Sequence, residues 1–491
     1  MAGRLRTGPR TALEVQVERM GKDGEGVAVA PDGRTLFVAG GLPGEQVRAV
    51  VDTEHARFLK GHAVAVLEPS PQRVPAPCPV FGRCGGCALQ HWAYPAEAAY
   101  KENRVREALR RIARLADPPV RPIRAATAVY AYRNKAQFPW GWSAGRPVLG
   151  FYRRATHEVI PLATCAIQHP LINRVLAEAP PAAAALGLPV YDERRDSGLL
   201  RHLVVRASFS EPEGLATVVV RHPGDPRLAA FARALRQAVP ELVGVAANIN
   251  PERTNRIFGA RTVILEGRDF LHERLLGATF RVGPTAFFQV NPRQTAVLYS
   301  LVLDAVARVP GVRRVWDLFA GVGTLAILTG RRLPQADILA VEIAADAVAD
   351  ARVNARLNGV HNVSFQARDA LAVVEAERMA GHAPDVVIVD PPRSGLAEEL
   401  VAALDALAPR ALVYVSCNPD TLARDVARLP GWRLAWAQPV DLFPRTDHVE
   451  TVAILEPGSG GGLQPEAAAD EQPGQHGEED AGEGEDRRCQ L

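Results

Sequence analysis

From Val312 to Pro457 the chain repeats one pattern, a short apolar run followed by a stretch of helical periodicity, and that repeat leaves few folds open. VRRVWDLFAGVG, ILAVEIAAD, VSFQARDA, DVVIVDPPR and ALVYVSCNP each read as a strand that ends at a polar or glycine-rich turn, with helical runs between them. Buried strands that alternate with helices predict a doubly wound parallel sheet. Open sheets of this kind bind ligands outside the carboxyl ends of their strands. The chemically notable residues of this region stand at those ends.

The first strand runs into Asp317-Leu-Phe319-Ala-Gly321-Val-Gly323-Thr324, where glycines allow a ligand to approach the backbone closely. Glu342 ends the next strand, twenty-one residues after Gly321, where an acid suits ribose hydroxyls. Ala326 replaces the third glycine of a dinucleotide fingerprint. Spacing alone leaves both a dinucleotide and another nucleoside cofactor open. Asp390 closes one strand in DPPR and Cys417 closes the following one in SCNP, so a carboxylate and a thiol face one crevice. Such a thiol is either a nucleophile or the inert filler of a strand end. Asp447-His448-Val449-Glu450 precedes a final strand, and Asn291-Pro292 reads as the N-cap and first residue of a helix that Gln289 precedes.

The remaining length divides into further units. Residues 10–74 carry short strands between turn signals and predict a small β-barrel. Residues 75–91 hold Cys78, Cys84 and Cys87, which with the distant Cys165 supply four thiolates for zinc or an iron-sulfur cluster; Gly85 and Gly86 let the backbone curl. Residues 92–282 read as a mixed α+β central domain, and 283–456 as the catalytic domain. Within the central domain, Ala96 to Ala116 is a helix with a basic face, either solvated or laid along phosphates. Tyr130 to Tyr152 interleaves aromatics with Arg133, Lys135 and Arg146, as in a base-stacking surface or a half-buried hairpin.

Net charge is +2, but residues 457–491 hold nine carboxylates and two arginines, which leaves 55 basic and 46 acidic residues elsewhere. A basic body fits a polyanionic partner. The acidic tail, without aromatics, is expected to be disordered. Six cysteines are too few and too clustered for a disulfide scaffold, and no long uncharged apolar stretch occurs. Those features predict a cytoplasmic protein with no membrane association; nothing implies a protein partner.

Several of these stretches together resemble one family. GKDGEGVAV and LFVAGGLPGEQV resemble the TRAM domain, an OB-like barrel of RNA-modifying enzymes. C-x5-C-G-G-C-x-x-Q-H resembles the 4Fe-4S ligand set of RNA uracil-5-methyltransferases, and FFQVN, DLFAGVG, DPPR, SCNP and HVE follow in that family's order. The resemblance spans nearly all of residues 10 to 456. It implies a C-terminal class I, Rossmann-like methyltransferase domain that uses S-adenosyl-L-methionine, and a 4Fe-4S cluster on Cys78, Cys84, Cys87 and Cys165 in preference to zinc. It implies Cys417 as nucleophile and Glu450 as general base, with His448 as the runner-up base. Gln289, Phe319, Gly321, Gly323, Thr324, Glu342, Asp369 and Asp390 would surround the cofactor and the reacting base. The expected partner is 23S rRNA or a ribosome assembly intermediate. A transfer-RNA uracil-5-methyltransferase is one alternative, and a non-catalytic RNA-binding assembly factor is another. RNA cytosine-5-methyltransferases are set aside because their Pro-Cys and Thr-Cys nucleophile contexts are missing.

Overall fold

A computed structural model of the chain describes residues 4–5 and 12–458. Nearly all of the expected acidic tail therefore lies outside the described residues. The strands Ala12–Met20, Gly26–Val29, Thr35–Ala39, Gln46–Glu54 and Phe58–Glu68 form the N-terminal barrel. The last of them pairs in parallel with Thr35–Ala39 and antiparallel with Gln46–Glu54, which closes the sheet. Side chains two apart, Val15 and Val17, Leu36 and Val38, Val47 and Ala49, meet in one core, as the strand period requires. A Cβ on Gly61 would lie 2.2 Å from the Val50 carbonyl oxygen, so the closing strand needs glycine at that crossing.

A seven-stranded sheet running from Lys135–Ser143 to Arg261–Gly267 forms the second unit, together with the helices Pro170–Ala185 and Arg227–Ala238. Phe138, Trp140 and Phe151 are buried in its core. Of the two readings of the aromatic stretch, the half-buried hairpin describes them.

Two parts of the stretch expected to form the central domain pack against the C-terminal sheet and its helices. The helix Tyr94–Arg111 buries Val105, Ala108 and Leu109 in the same cluster as Leu318, Val389 and Tyr414. Its expected solvated basic face is corrected at Lys101, which is fully buried with Nζ 2.8 Å from Glu97 and 2.7 Å from Asp441. The two carboxylates compensate the desolvation of the ammonium, and one of them comes from 340 residues away. The hairpin Leu271–Leu275 with Ala278–Val282 likewise buries Phe280 beside Phe288, at the foot of the helix Pro292–Arg308. Asn291 caps that helix as expected, its side chain accepting from Gln294 N.

The third sheet contains β1 (Arg314–Leu318), β2 (Asp337–Glu342), β3 (Val363–Ala367), β4 (Val386–Val389), β5 (Ala411–Ser416), β6 (Trp432–Val440) and β7 (Glu450–Pro457). Their order is β3-β2-β1-β4-β5-β7-β6. The first five are parallel, while β7 runs antiparallel between β5 and β6. Strand order reverses between β1 and β4, which opens a crevice at their carboxyl ends. No helix among the described residues is long and apolar enough to cross a membrane.

Candidate active site

The turn after β1 is shaped by three residues in the left-handed region, Phe319 at φ 75°, Gly321 at 54° and Gly323 at 78°. For a phenylalanine that conformation costs about 1–3 kcal/mol. It is held because Phe319 N and Ala320 N both donate to the Val341 carbonyl at 2.9 Å. Glu342 at the end of β2 reaches back to the turn: one oxygen accepts from Gly321 N at 3.0 Å and the other from Ala344 N at 2.9 Å. The carboxylate retains lone pairs for a ribose diol, and its orientation is fixed by backbone donors. Thr324 begins the helix Thr324–Arg332, and Gly323 occupies its N-cap. Asp369 is exposed and caps the helix Ala370–Met379 by accepting from Ala372 N at 3.1 Å.

Register brings Cys417 and Glu450 together. Ser416 on β5 faces Thr451 on β7, so Cys417 and Glu450 lie one step beyond that rung at the same end of adjacent strands. Facing Cα atoms in such a ladder are about 4.5–5.5 Å apart. Cys417 is held between two braced neighbours. Ser416 Oγ donates to the Asn418 carbonyl at 3.0 Å, and the Asn418 amide donates to the Arg393 carbonyl at 3.2 Å, tying the SCNP turn to the DPPR turn. Beneath them Tyr414 donates to Asp425 at 2.8 Å, and the same carboxylate oxygen accepts from Leu396 N. Glu450 is buried at the start of β7.

Acidic groups converge on the crevice. Burial pushes Asp390 up to about 7. Burial, the neighbouring Asp390 charge and Glu342 push Asp317 up to about 8, although the Ala326 N–H works against them. Asp317 Oδ2 is buried without a hydrogen-bond partner. Tyr299, on the helix Pro292–Arg308, is pushed far above the usual phenol range by burial and then by Asp390, Asp317 and Glu450. Its hydroxyl also shares a hydrogen bond with Gln289. Tyr299 therefore lies near Gln289, Asp317, Asp390 and Glu450. Sequence reasoning did not place Asp317 or Tyr299 among the site residues. A tyrosine on the apolar face of an amphipathic helix carries only a core signal, whereas an acid in the middle of an apolar strand was a readable clue. His448 lies against the Arg393 guanidinium, with Nδ1 3.0 Å from Nη2, and burial lowers its basicity despite the adjoining Asp447.

The cysteine segment meets the central hairpin. Gly85 N donates to the Tyr152 carbonyl at 2.9 Å, and a Cβ on Gly85 would lie 3.0 Å from that oxygen. Burial raises the Cys84 thiol to about 11 against the Gly86 N–H, with Cys165 and Cys78 adding to the rise. Burial also pushes Cys87 far up, and Cys165, Cys84 and Cys78 act in the same direction. The four thiols share one neighbourhood, which fits a thiolate-held cluster in donor type and number. They do not converge on a single ion: no three His, Cys, Asp or Glu among the described residues form a metal-ligand group.

A reversed β7 beside five parallel strands, a glycine turn after β1 and a ribose-type acid after β2 define a class I methyltransferase fold. Residues 259–457 match the tRNA (Uracil-5-)-methyltransferase model, and residues 7–64 match the TRAM domain. An uncharacterized RNA methyltransferase of Halalkalibacterium halodurans is 39% identical over 446 residues, covering 90% of this chain and 96% of its own. Another from Gloeobacter violaceus is 40% identical over 450 residues, with coverage of 90% and 96%. The crystal structure of Pyrococcus abyssi tRNA (uracil-54, C5)-methyltransferase in complex with S-adenosyl-L-homocysteine superposes with a TM-score of 0.74 at 24% identity, covering 90% of this chain and 99% of that one. The chain belongs to the RNA uracil-5-methyltransferase family.

Proposed function

We propose that the protein transfers a methyl group from S-adenosyl-L-methionine to C5 of a uridine in 23S rRNA, in the cytoplasm. The observation that carries this reading is the convergence of Cys417 and Asp390, at the carboxyl ends of β5 and β4, with Glu450 at the amino end of the antiparallel β7, beside the glycine turn after β1. Uracil C5 is a poor nucleophile until a thiolate adds at C6. Cys417 forms that S–C6 bond, and the C5–C6 π electrons move into the enolate of the C4 carbonyl. The methyl donor supplies an electrophilic methyl sulfonium; C5 takes the methyl group, and the pair of the broken S–CH3 bond stays on the departing sulfur. Glu450 then removes the C5 proton, the C5–H pair restores the C5–C6 double bond, and the S–C6 pair returns to Cys417. Asp390 and Gln289 orient the base and the donor's reacting end. Phe319, Gly321, Gly323, Thr324 and Glu342 hold the adenosine, with Asp369 at its outer edge. A uridine in folded RNA must be extruded to reach this crevice, and the barrel and central sheet hold the flanking strand.

Cys78, Cys84, Cys87 and Cys165 hold a 4Fe-4S cluster with a structural or RNA-positioning role. An anaerobic absorption spectrum showing iron-sulfur charge transfer supports that assignment, and stoichiometric zinc replaces it. The combination of a TRAM barrel with four cysteines favours ribosomal over transfer RNA. Mapping 5-methyluridine in both RNAs from cells lacking the gene decides between them. The chemistry itself is tested with RNA containing 5-fluorouridine, whose C5 carries no removable proton after methylation. Wild-type protein and methyl donor should form an adduct that survives a denaturing gel. Cys417→Ala should form none while binding the donor within about threefold of wild type. An adduct in that variant would contradict the assignment.

A further inference from the structure

Between β6 and β7 the chain makes a loop, Asp441 to Val449, whose last residue adjoins Glu450. Five consecutive carbonyls of this loop are taken by donors from elsewhere in the chain. Gln294 Nε2 donates to Asp441 O at 3.1 Å, Asn291 Nδ2 to Leu442 O at 2.9 Å, Lys101 Nζ to Phe443 O at 3.0 Å and Tyr132 Oη to Pro444 O at 2.9 Å. The fifth, Arg445 O, accepts both Ala88 N and Leu89 N at 3.0 Å, the two amides that directly follow Cys87.

Arg445 is the most heavily tied residue of this loop. It is buried in the left-handed region at φ 70°, where a side chain is disfavoured and must be held by its surroundings. Its own amide donates to Glu97 at 2.7 Å, and its Nη1 donates to the Trp92 carbonyl at 2.8 Å and to the other Glu97 oxygen at 3.3 Å. Its guanidinium lies over the rings of Tyr94 and Tyr130. One residue thus joins the cysteine segment, the helix Tyr94–Arg111 and the central segment to the loop that leads into Glu450. The hydrogen bonds described beside Cys417, made by Ser416, Asn418 and Tyr414, have their partners at Asn418, Arg393 and Asp425, outside this loop.

We propose that Arg445 is a positioning residue for proton removal, whose side chain, anchored on Trp92 O and on Glu97 of the helix Tyr94–Arg111, fixes where Glu450 stands relative to the C5 proton. This rests on the thiol-addition reading above. Loss of the Arg445 side-chain ties to Trp92 O and Glu97 lets the loop relax while β5 keeps Cys417 in place. The S–C6 and C5–CH3 bonds then still form. The later step, in which Glu450 takes the C5 proton as the S–C6 pair returns to Cys417, becomes slow.

The test is a single-turnover time course with full-length enzyme, labelled RNA and methyl donor, quenched onto a denaturing gel. Arg445→Ala should slow adduct release by about tenfold or more and leave adduct formation within about threefold, so that methylated adduct accumulates. Arg445→Lys, which keeps the charge but cannot span Trp92 O and Glu97 together, should lie between Ala and wild type. It carries the test if the Ala variant does not fold. Equal slowing of formation and release, or release at the wild-type rate, overturns the positioning role. Wild-type enzyme on 5-fluorouridine RNA runs alongside. Absence of an adduct there overturns the thiol-addition reading itself, so the two failures are distinguishable.

Discussion

Asp317 carries the most perturbed carboxyl resolved in the crevice, with Asp390 next, and the two set a pH dependence that can be measured without substrate. Burial holds them near 8 and near 7, whereas an unfolded aspartate titrates near 3.8. The folded state therefore binds more protons than the unfolded one between about pH 4 and 8. Stability falls as pH rises through that window, and neither group imposes a penalty below it. Asp317→Asn should flatten the decline of melting temperature between pH 5 and 9, measured without methyl donor. A slope equal to that of wild type would show that Asp317 is charged across the whole range. Cys417 stood out in the sequence as a thiol at a strand end before Asn-Pro, whereas Glu450 was singled out only by the family resemblance. Tyr299 was not legible, because its environment is assembled from four segments that only the fold brings together.

At the level of elements, the strand-turn-helix unit after β1 is tightly built. A Cβ on Gly323 would lie 2.9 Å from both Ala351 Cβ and Phe365 Cε1, and φ 78° already disfavours any side chain. Gly323→Ala is expected to cost at least about 1–3 kcal/mol in denaturant unfolding and to weaken donor binding, because the turn must shift away from Glu342. Unchanged stability and donor affinity would mean that the turn relaxes freely. The sequence carried the parallel strands clearly, since apolar runs of four to six residues between helical repeats admit few arrangements. The helix Tyr94–Arg111 was legible as a helix but not in its position. Lysine and glutamate on a helix read as solvated, and only the pairing of Lys101 with Asp441 across 340 residues explains their burial. Asp369 shows the converse limit, because an acid after a strand suits helix capping as well as ligand contact.

Across the whole molecule, the barrel, the cysteine segment and the central sheet meet the catalytic domain around the loop before β7. Gly24 of the barrel illustrates how tightly: a Cβ there would lie 3.0 Å from Ala88 Cβ and 3.3 Å from Asp447 Cβ. The order of motifs along the chain gave no hint of this junction, which depends on side-chain and backbone donors that only the fold brings to one loop. On the proposed mechanism, RNA-holding parts and reacting residues are mechanically one unit, and catalysis proceeds through a covalent enzyme-RNA intermediate that Glu450 resolves. The most direct measurement uses Glu450→Gln with unmodified RNA and a methyl donor labelled in its methyl group, followed on a denaturing gel and by peptide mapping. The labelled methyl group should remain on RNA attached to the protein at Cys417, with little free product released. Turnover at the wild-type rate, or no labelled adduct at all, would contradict the roles assigned to these two residues.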